Sequence, residues 1–139
     1  REFEDKHAER ILALECARHG VFFPTEGSFQ PLMEAGLATF LTQAGLSEVI
    51  VGDEFGDEEI LIPLHSLAEL PAWETRSDFP SYGAKRICAP DRSLLVWVDW
   101  DSFYTAIFGT ADRLKESKPD EVFEGFWCSE STTVNWLFD

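Results

Sequence analysis

Apolar positions recur along this chain with two periods, and the change from one to the other divides it into a helical start and a sheet-forming remainder. Residues 5–19 predict a helix: acids stand near its start, Arg18 and His19 close its last turn, and Gly20 follows as a stop. Its apolar set, Ala8, Ile11, Leu12 and Leu14, makes only a short, weak face. After a turn-rich stretch at 24–28, a second helix starts near Pro31, where a missing N–H costs nothing, and ends at Gly45. Met33, Leu37, Phe40, Leu41 and Ala44 share one side of it, and Leu46 after Gly45 suits a Schellman-type stop. Glu34 is its sole charge, which predicts a helix more than half buried.

From residue 48 the pattern is that of strands. Residues 48–51 and 59–62 flank Gly-Asp-Glu-Phe-Gly-Asp-Glu, a hairpin in which Gly52 and Gly56 are available for turn conformations. Pro63 ends the second strand, 64–70 reads as a short helix, and 71–83 as an irregular loop carrying Trp73, Phe79 and Tyr82. Strands are predicted at 85–89, 93–100 and 103–108, a short helix at 111–118, and a closing pair at 125–128 with 134–138. The expected fold class is α+β: an antiparallel meander sheet with two N-terminal helices and one or two short helices packed mainly on one face. With no repeat and no Gly/Ser linker, residues 1–139 read as a single domain. The chain opens at Arg1 without a methionine, which leaves room for a native N-terminal segment ahead of it.

Composition supports a packed core, since 45% of the residues are hydrophobic and 12 Phe and 5 Trp are among them. Cys16, Cys88 and Cys128 stand too far apart for a disulfide framework or a C-x-x-C site, so reduced and mostly buried thiols are expected. No run approaches the roughly 20 apolar residues of a membrane span, and no apolar signal core follows a basic start, so the reading is cytoplasmic. Charge changes the picture most. With 26 acidic against 11 basic residues the net charge is −15, which argues against nucleic acid and anionic membrane as partners. Between Arg18 and Arg76 there is no Lys or Arg, while Glu26, Glu34, Glu48, Asp53, Glu54, Asp57, Glu58, Glu59, Glu69 and Glu74 all fall there. Residues 119–139 again hold acids and no base.

Four short motifs stand in a particular order: Pro24-Thr-Glu26-Gly27-Ser-Phe29, Gly52-Asp53-Glu54-Phe-Gly56, Trp100-Asp101-Ser102, and Phe123-Glu124-Gly125-Phe126-Trp-Cys128 ahead of Trp136. In order and spacing they resemble an uncharacterised bacterial family, domain of unknown function 2711, over roughly residues 21–138. The helix at 5–19 lies outside this resemblance. Phe55 and Asp57 depart from the family pattern in the hairpin loop. The resemblance implies a bacterial, cytosolic origin and carries over no catalytic or binding residue.

The hairpin acids Asp53, Glu54, Asp57, Glu58 and Glu59 invite three readings: a solvated acidic turn, a partner-binding patch, or a site for calcium or magnesium. Their spacing does not fit an EF-hand loop, and the solvated turn is the plainest of the three. In Val96-Trp97-Val98-Asp99-Trp100-Asp101, a period of two would put Trp97, Asp99 and Asp101 on one face. Two carboxylates so placed can serve acid/base or metal chemistry, or simply cap a strand end. His7, His19 and His65 have no local partners and read as surface residues, and no nucleophile elbow or phosphate-binding loop is present.

These readings favour an acidic protein-interaction module over an enzyme, most concretely an immunity-type inhibitor that engages a basic toxin or nuclease. Complementary fields accelerate such encounters. No cofactor is expected. The residues assigned to the partner surface are Asp53, Glu54, Asp57, Glu58, Glu59, Trp73, Trp97, Asp99 and Asp101, with the two tryptophans as anchors. The alternatives are a small metal-dependent hydrolase using Asp99 and Asp101, and a DNA-mimicking inhibitor with acids along one elongated face.

Overall fold

A computed structural model describes residues 5–21, 25–68, 73, 76–81 and 83–132. Among these residues the strand-like stretches form a five-stranded antiparallel sheet. The strands are β1 (Glu48–Gly52), β2 (Glu59–Pro63), β3 (Arg86–Cys88), β4 (Leu94–Val98) and β5 (Thr105–Gly109), in the order β2-β1-β3-β4-β5. The helices are α1 (Lys6–His19), α2 (Pro31–Gln43) and α3 (Ala111–Ser117), with short 3-10 helices at Leu64–Ala68 and Pro119–Glu121. The α+β class follows.

Register separates the two faces of the sheet. Ile60, Val51, Ile87, Val96 and Ile107 lie opposite one another across all five strands and face the core together with Val49, Ile62 and Leu94. On the other face the corresponding row is Leu61, Ile50, Cys88, Leu95 and Phe108, followed by Glu59, Gly52, Arg86, Trp97 and Ala106. Phe40, Leu37, Leu41 and Ala38 of α2 close the core over the first face, which gives one covered and one more open side. Helix α2 ends as its sequence predicts: the Gly45 N–H reaches Thr42 O at 2.9 Å and the Leu46 N–H reaches Leu41 O at 3.2 Å, with Gly45 at φ 75°.

The order departs from a strict meander at one step. Strand β3 pairs with β1, not with β2, so that β1 lies between the two. The reason lies in the strands themselves. Val49 and Val51 of β1 are fully buried, as befits an interior strand, whereas β2 carries Glu59 and ends in Pro63, residues suited to an edge.

Smaller departures have equally local causes. Strand β4 stops at Val98 and β5 starts at Thr105, since the Asp99 carbonyl turns back to accept the Ser102 N–H at 3.2 Å. The segment 125–128 forms no strand: it has no pairing partner among the described residues, and Phe126 and Trp127 are exposed. The predicted partner strand at 134–138, like Leu70 and Tyr82, lies outside the described residues. Of the three cysteines only Cys88 is buried; Cys16 is half-buried and Cys128 exposed. Helix α1 is capped at both ends, by Asp5 accepting the His7 and Ala8 N–H groups at 3.0 Å and by Gly20 at φ 66°, yet none of its residues is buried.

Candidate functional site

Three of the five hairpin acids are bound to groups of the protein itself. Asp53 is only 3% exposed, and its Oδ1 accepts the Gly56 N–H at 2.6 Å and the Asp57 N–H at 3.0 Å, closing the loop around itself. Arg86 lies along that loop: its Nε donates to Asp53 O at 2.7 Å, and a Cβ on Gly56, which sits at φ 86°, would come within 2.8 Å of its Nη2. Glu59 accepts both arms of Arg92, at 3.0 and 2.6 Å, and Arg86 Nη2 at 3.3 Å. The Arg92 hydrogen bonds, with the charges of Arg92 and Arg86, hold its carboxyl below the usual range. Glu58 accepts the Ser81 N–H at 2.8 Å and its hydroxyl at 3.2 Å. Asp53, Glu58 and Glu59 therefore stabilise the loops, while Asp57 is exposed and Glu54 half-buried.

Trp73 is not a surface anchor. It is 3% exposed, its indole N–H donates to Leu67 O at 2.9 Å and its backbone N–H to Glu34 at 3.1 Å. Phe29 and Phe79 pack edge-on against its ring at 5.7 and 6.2 Å. A large apolar ring whose only polar atom finds a carbonyl is at home in a core. Trp97 is half-buried on the open face of the sheet, its ring 6.4 Å from that of Phe108. Because β4 ends at Val98, the alternation that would align Asp99 with Asp101 does not continue. Asp99 accepts the Trp100 N–H at 3.0 Å within the turn, and Asp101 is exposed. Among the described residues no three His, Cys, Asp or Glu side chains gather where they could hold a metal ion.

What the fold does bring together is three of the four motifs, at one end of the sheet. The Gly27 N–H reaches Ser102 O at 2.9 Å, and Gly27 is at φ 63° with Trp100 O only 2.4 Å from where a Cβ would stand. Only glycine fits so close a backbone crossing. Lys85 then ties the third motif to the other two: its Nζ donates to Gly27 O, its N–H reaches Gly52 O at 2.9 Å, and its carbonyl accepts the Val98 N–H at 3.0 Å. Loops 25–30, 52–58 and 99–102 are thus held on one frame, from which Glu26, Asp57 and Asp101 extend into solvent. Phe55, at 81% exposure, Trp100, at 63%, and Phe103 stand among them.

Lys85, Arg86, Gly27 and Trp100 were not assigned a role from sequence. Their signal was present: Lys85 and Arg86 begin a strand directly after a stretch dominated by acids, and Gly27 and Trp100 belong to the ordered motifs. A separate groove of about 620 Å³ lies over α3, lined by Leu114, Lys118, Glu121 and Trp127 among others, and is shallow and open. Its Lys118 is already paired with Glu121 at 2.8 Å.

No helix among the described residues is long and apolar enough to cross a membrane. Neither the curated proteins nor the solved structures contain a match to the chain. One family model does match, described as a protein of unknown function (DUF2711), over residues 1–138, so that α1 falls inside the family unit rather than before it. With the motif frame and nearly the whole sequence covered, the chain belongs to the DUF2711 family.

Proposed function

We propose that this protein is a non-enzymatic interaction module that engages a basic protein through the end of the sheet where loops 25–30, 52–58 and 99–102 meet, in the manner of an immunity-type inhibitor. One observation carries the reading: the three loops are fixed to each other through backbone groups and Lys85, while the side chains left outside are carboxylates interleaved with aromatics. A surface fixed in advance loses little entropy on binding. Glu26, Asp57 and Asp101 supply the field that steers a cationic partner, and Phe55, Trp100 and Phe103 supply contact area. Exposed charge pairs contribute only about 0.2–1 kcal/mol each, so the aromatics carry most of the affinity.

The test is capture of basic proteins from the native host at low salt, repeated with Trp100→Ala and with Asp57→Asn plus Asp101→Asn. The reading expects a cationic partner whose affinity falls at least about tenfold, or about 1.4 kcal/mol, with Trp100→Ala. It also expects a shallower salt dependence with the double variant. A partner bound equally well by both variants overturns it.

A further inference from the structure

Lys85 stands apart from the other half-buried cations of this chain. Arg76, Arg86 and Arg113 each meet a carboxylate: Asp78 at 2.6 Å, Glu59 at 3.3 Å and Asp91 at 3.1 Å. Lys85 forms no ion pair among the described residues, and its Nζ donates instead to Gly27 O. Where acids outnumber bases 26 to 11, a half-buried ammonium spent on a backbone carbonyl is placed for the peptide it holds, not for charge pairing.

That peptide belongs to loop 25–30, which is closed on itself. Gln30 Nε2 donates to Thr25 O at 2.6 Å and to Ser28 O at 3.1 Å, and the buried Phe29 packs against Trp73. Among the described residues, both hydrogen bonds that attach 25–28 to other loops fall on Gly27: its N–H reaches Ser102 O at 2.9 Å, and its carbonyl accepts from Lys85. The grip opposes a repulsion built into the sequence. Glu26 precedes Gly27 and Asp101 follows Trp100, so the close crossing of Gly27 over the Trp100 backbone joins two segments that each carry an exposed carboxylate. The Lys85 ammonium brings the opposite charge to that crossing.

We propose that Lys85 is the positioning residue of the loop-end surface: its ammonium, acting through the Gly27 carbonyl, holds Glu26 in register with Trp100 and Asp101. The proposal rests on the reading of that surface as a face for a basic protein, and it adds a consequence that charge alone contradicts. Removing Lys85 makes a chain of net charge −15 still more negative, so a face that works by its field alone binds a cationic protein at least as fast and as tightly. A face that works by being fixed in advance binds it more weakly, because the freed loop must be ordered at each encounter, and the loss falls in dissociation.

Lys85→Met keeps an unbranched apolar stem and removes the ammonium, and two measurements read the result. Amide hydrogen exchange is expected to quicken at least about tenfold at Gly27 while the amides of the β1–β3–β4 ladder stay as they are, a split that a general loss of stability does not produce. The basic protein recovered in the capture above, once immobilised, is expected to release the variant at least about tenfold faster than wild type, with association at low salt equal or faster. Exchange at Gly27 that is unchanged, or that quickens only in step with the ladder, overturns the proposal whatever the partner does. Faster exchange at Gly27 with undiminished binding overturns the positioning role and leaves the binding face standing. Capture of no basic protein by the wild type overturns the binding face and the role of Lys85 in it together. If Lys85→Met fails to fold by circular dichroism, the wild type decides by NMR: coupling between the Lys85 ammonium and the Gly27 carbonyl across the hydrogen bond supports the proposal, and its absence overturns it.

Discussion

The β1–β2 hairpin and the β4–β5 hairpin are built alike as antiparallel pairs but spend their side chains in opposite ways. In the first, carboxylates are largely bound within the structure: Asp53 closes its own loop, Glu58 holds Ser81 and Glu59 is claimed by Arg86 and Arg92, while Asp57 and Phe55 stay in solvent. In the second, aromatics turn outward: Trp100, Phe103 and Phe108 are each more than half exposed. Acid count is therefore a poor guide to where this protein meets others, because charge within bonding reach of an arginine is structure. Exposed aromatic area is the better guide, since leaving it in water has a standing cost that burial against a partner removes.

The largest break in that contrast comes from exchanging the roles of two tryptophans. Trp73→Ala removes a ring that is 3% exposed and packed between Phe29 and Phe79, and leaves the Leu67 carbonyl without its donor. A loss of about 3–5 kcal/mol is expected in urea unfolding. Trp100→Ala, by contrast, is expected to change stability by less than about 0.5 kcal/mol while reducing partner capture. Equal losses in the two would show that the β4–β5 turn is part of the core.

A smaller difference separates two aspartates. Asp53→Ala removes the carboxylate that accepts two loop N–H groups, for a cost of about 1–3 kcal/mol, whereas Asp101→Asn is expected to leave stability within about 0.5 kcal/mol. Chemical denaturation of the two variants side by side measures this. An Asp53→Ala variant as stable as wild type would mean that the hairpin closes without its carboxylate.

Much of the fold was legible because its signals are local. The Schellman stop at Gly45, the period-two runs of β1 and β4 and the glycine turn at Gly56 each depend on a few adjacent residues. What stayed hidden depends on distant ones. Nothing near Trp73 in sequence says that Glu34 and Phe29 will enclose it, and nothing near Asp53 says that Arg86 will lie along its loop. The placement of β3 beside β1 is of the same kind, decided by which strand has two apolar faces to cover. Of the candidate site, the motifs marked its backbone frame, but the side chains assigned to the surface were chosen by charge. Three of those acids, Asp53, Glu58 and Glu59, proved to be spoken for.

The weakest tests concern ion pairs near the charged edge. Glu59→Gln weakens the pairs with Arg92 and Arg86, whose side chains keep partial contact with solvent, and a loss of about 0.2–1 kcal/mol is expected in thermal or urea unfolding. Asp91, at the β3–β4 turn, has its carboxyl drawn down from 3.8 to about 2 by the Ser93 hydroxyl and N–H and then by Arg113. A folded-state value below the unfolded one means that ionised Asp91 favours the fold. Its contribution is complete above about pH 4 and is lost as pH falls through about 2. Melting temperatures taken between those limits are therefore expected to fall less steeply for Asp91→Asn than for wild type. Because Arg113 also fastens α3 to Ala44 O and Ser93, parallel slopes in the two proteins would mean that these neutral acceptors hold α3 in place without the aspartate.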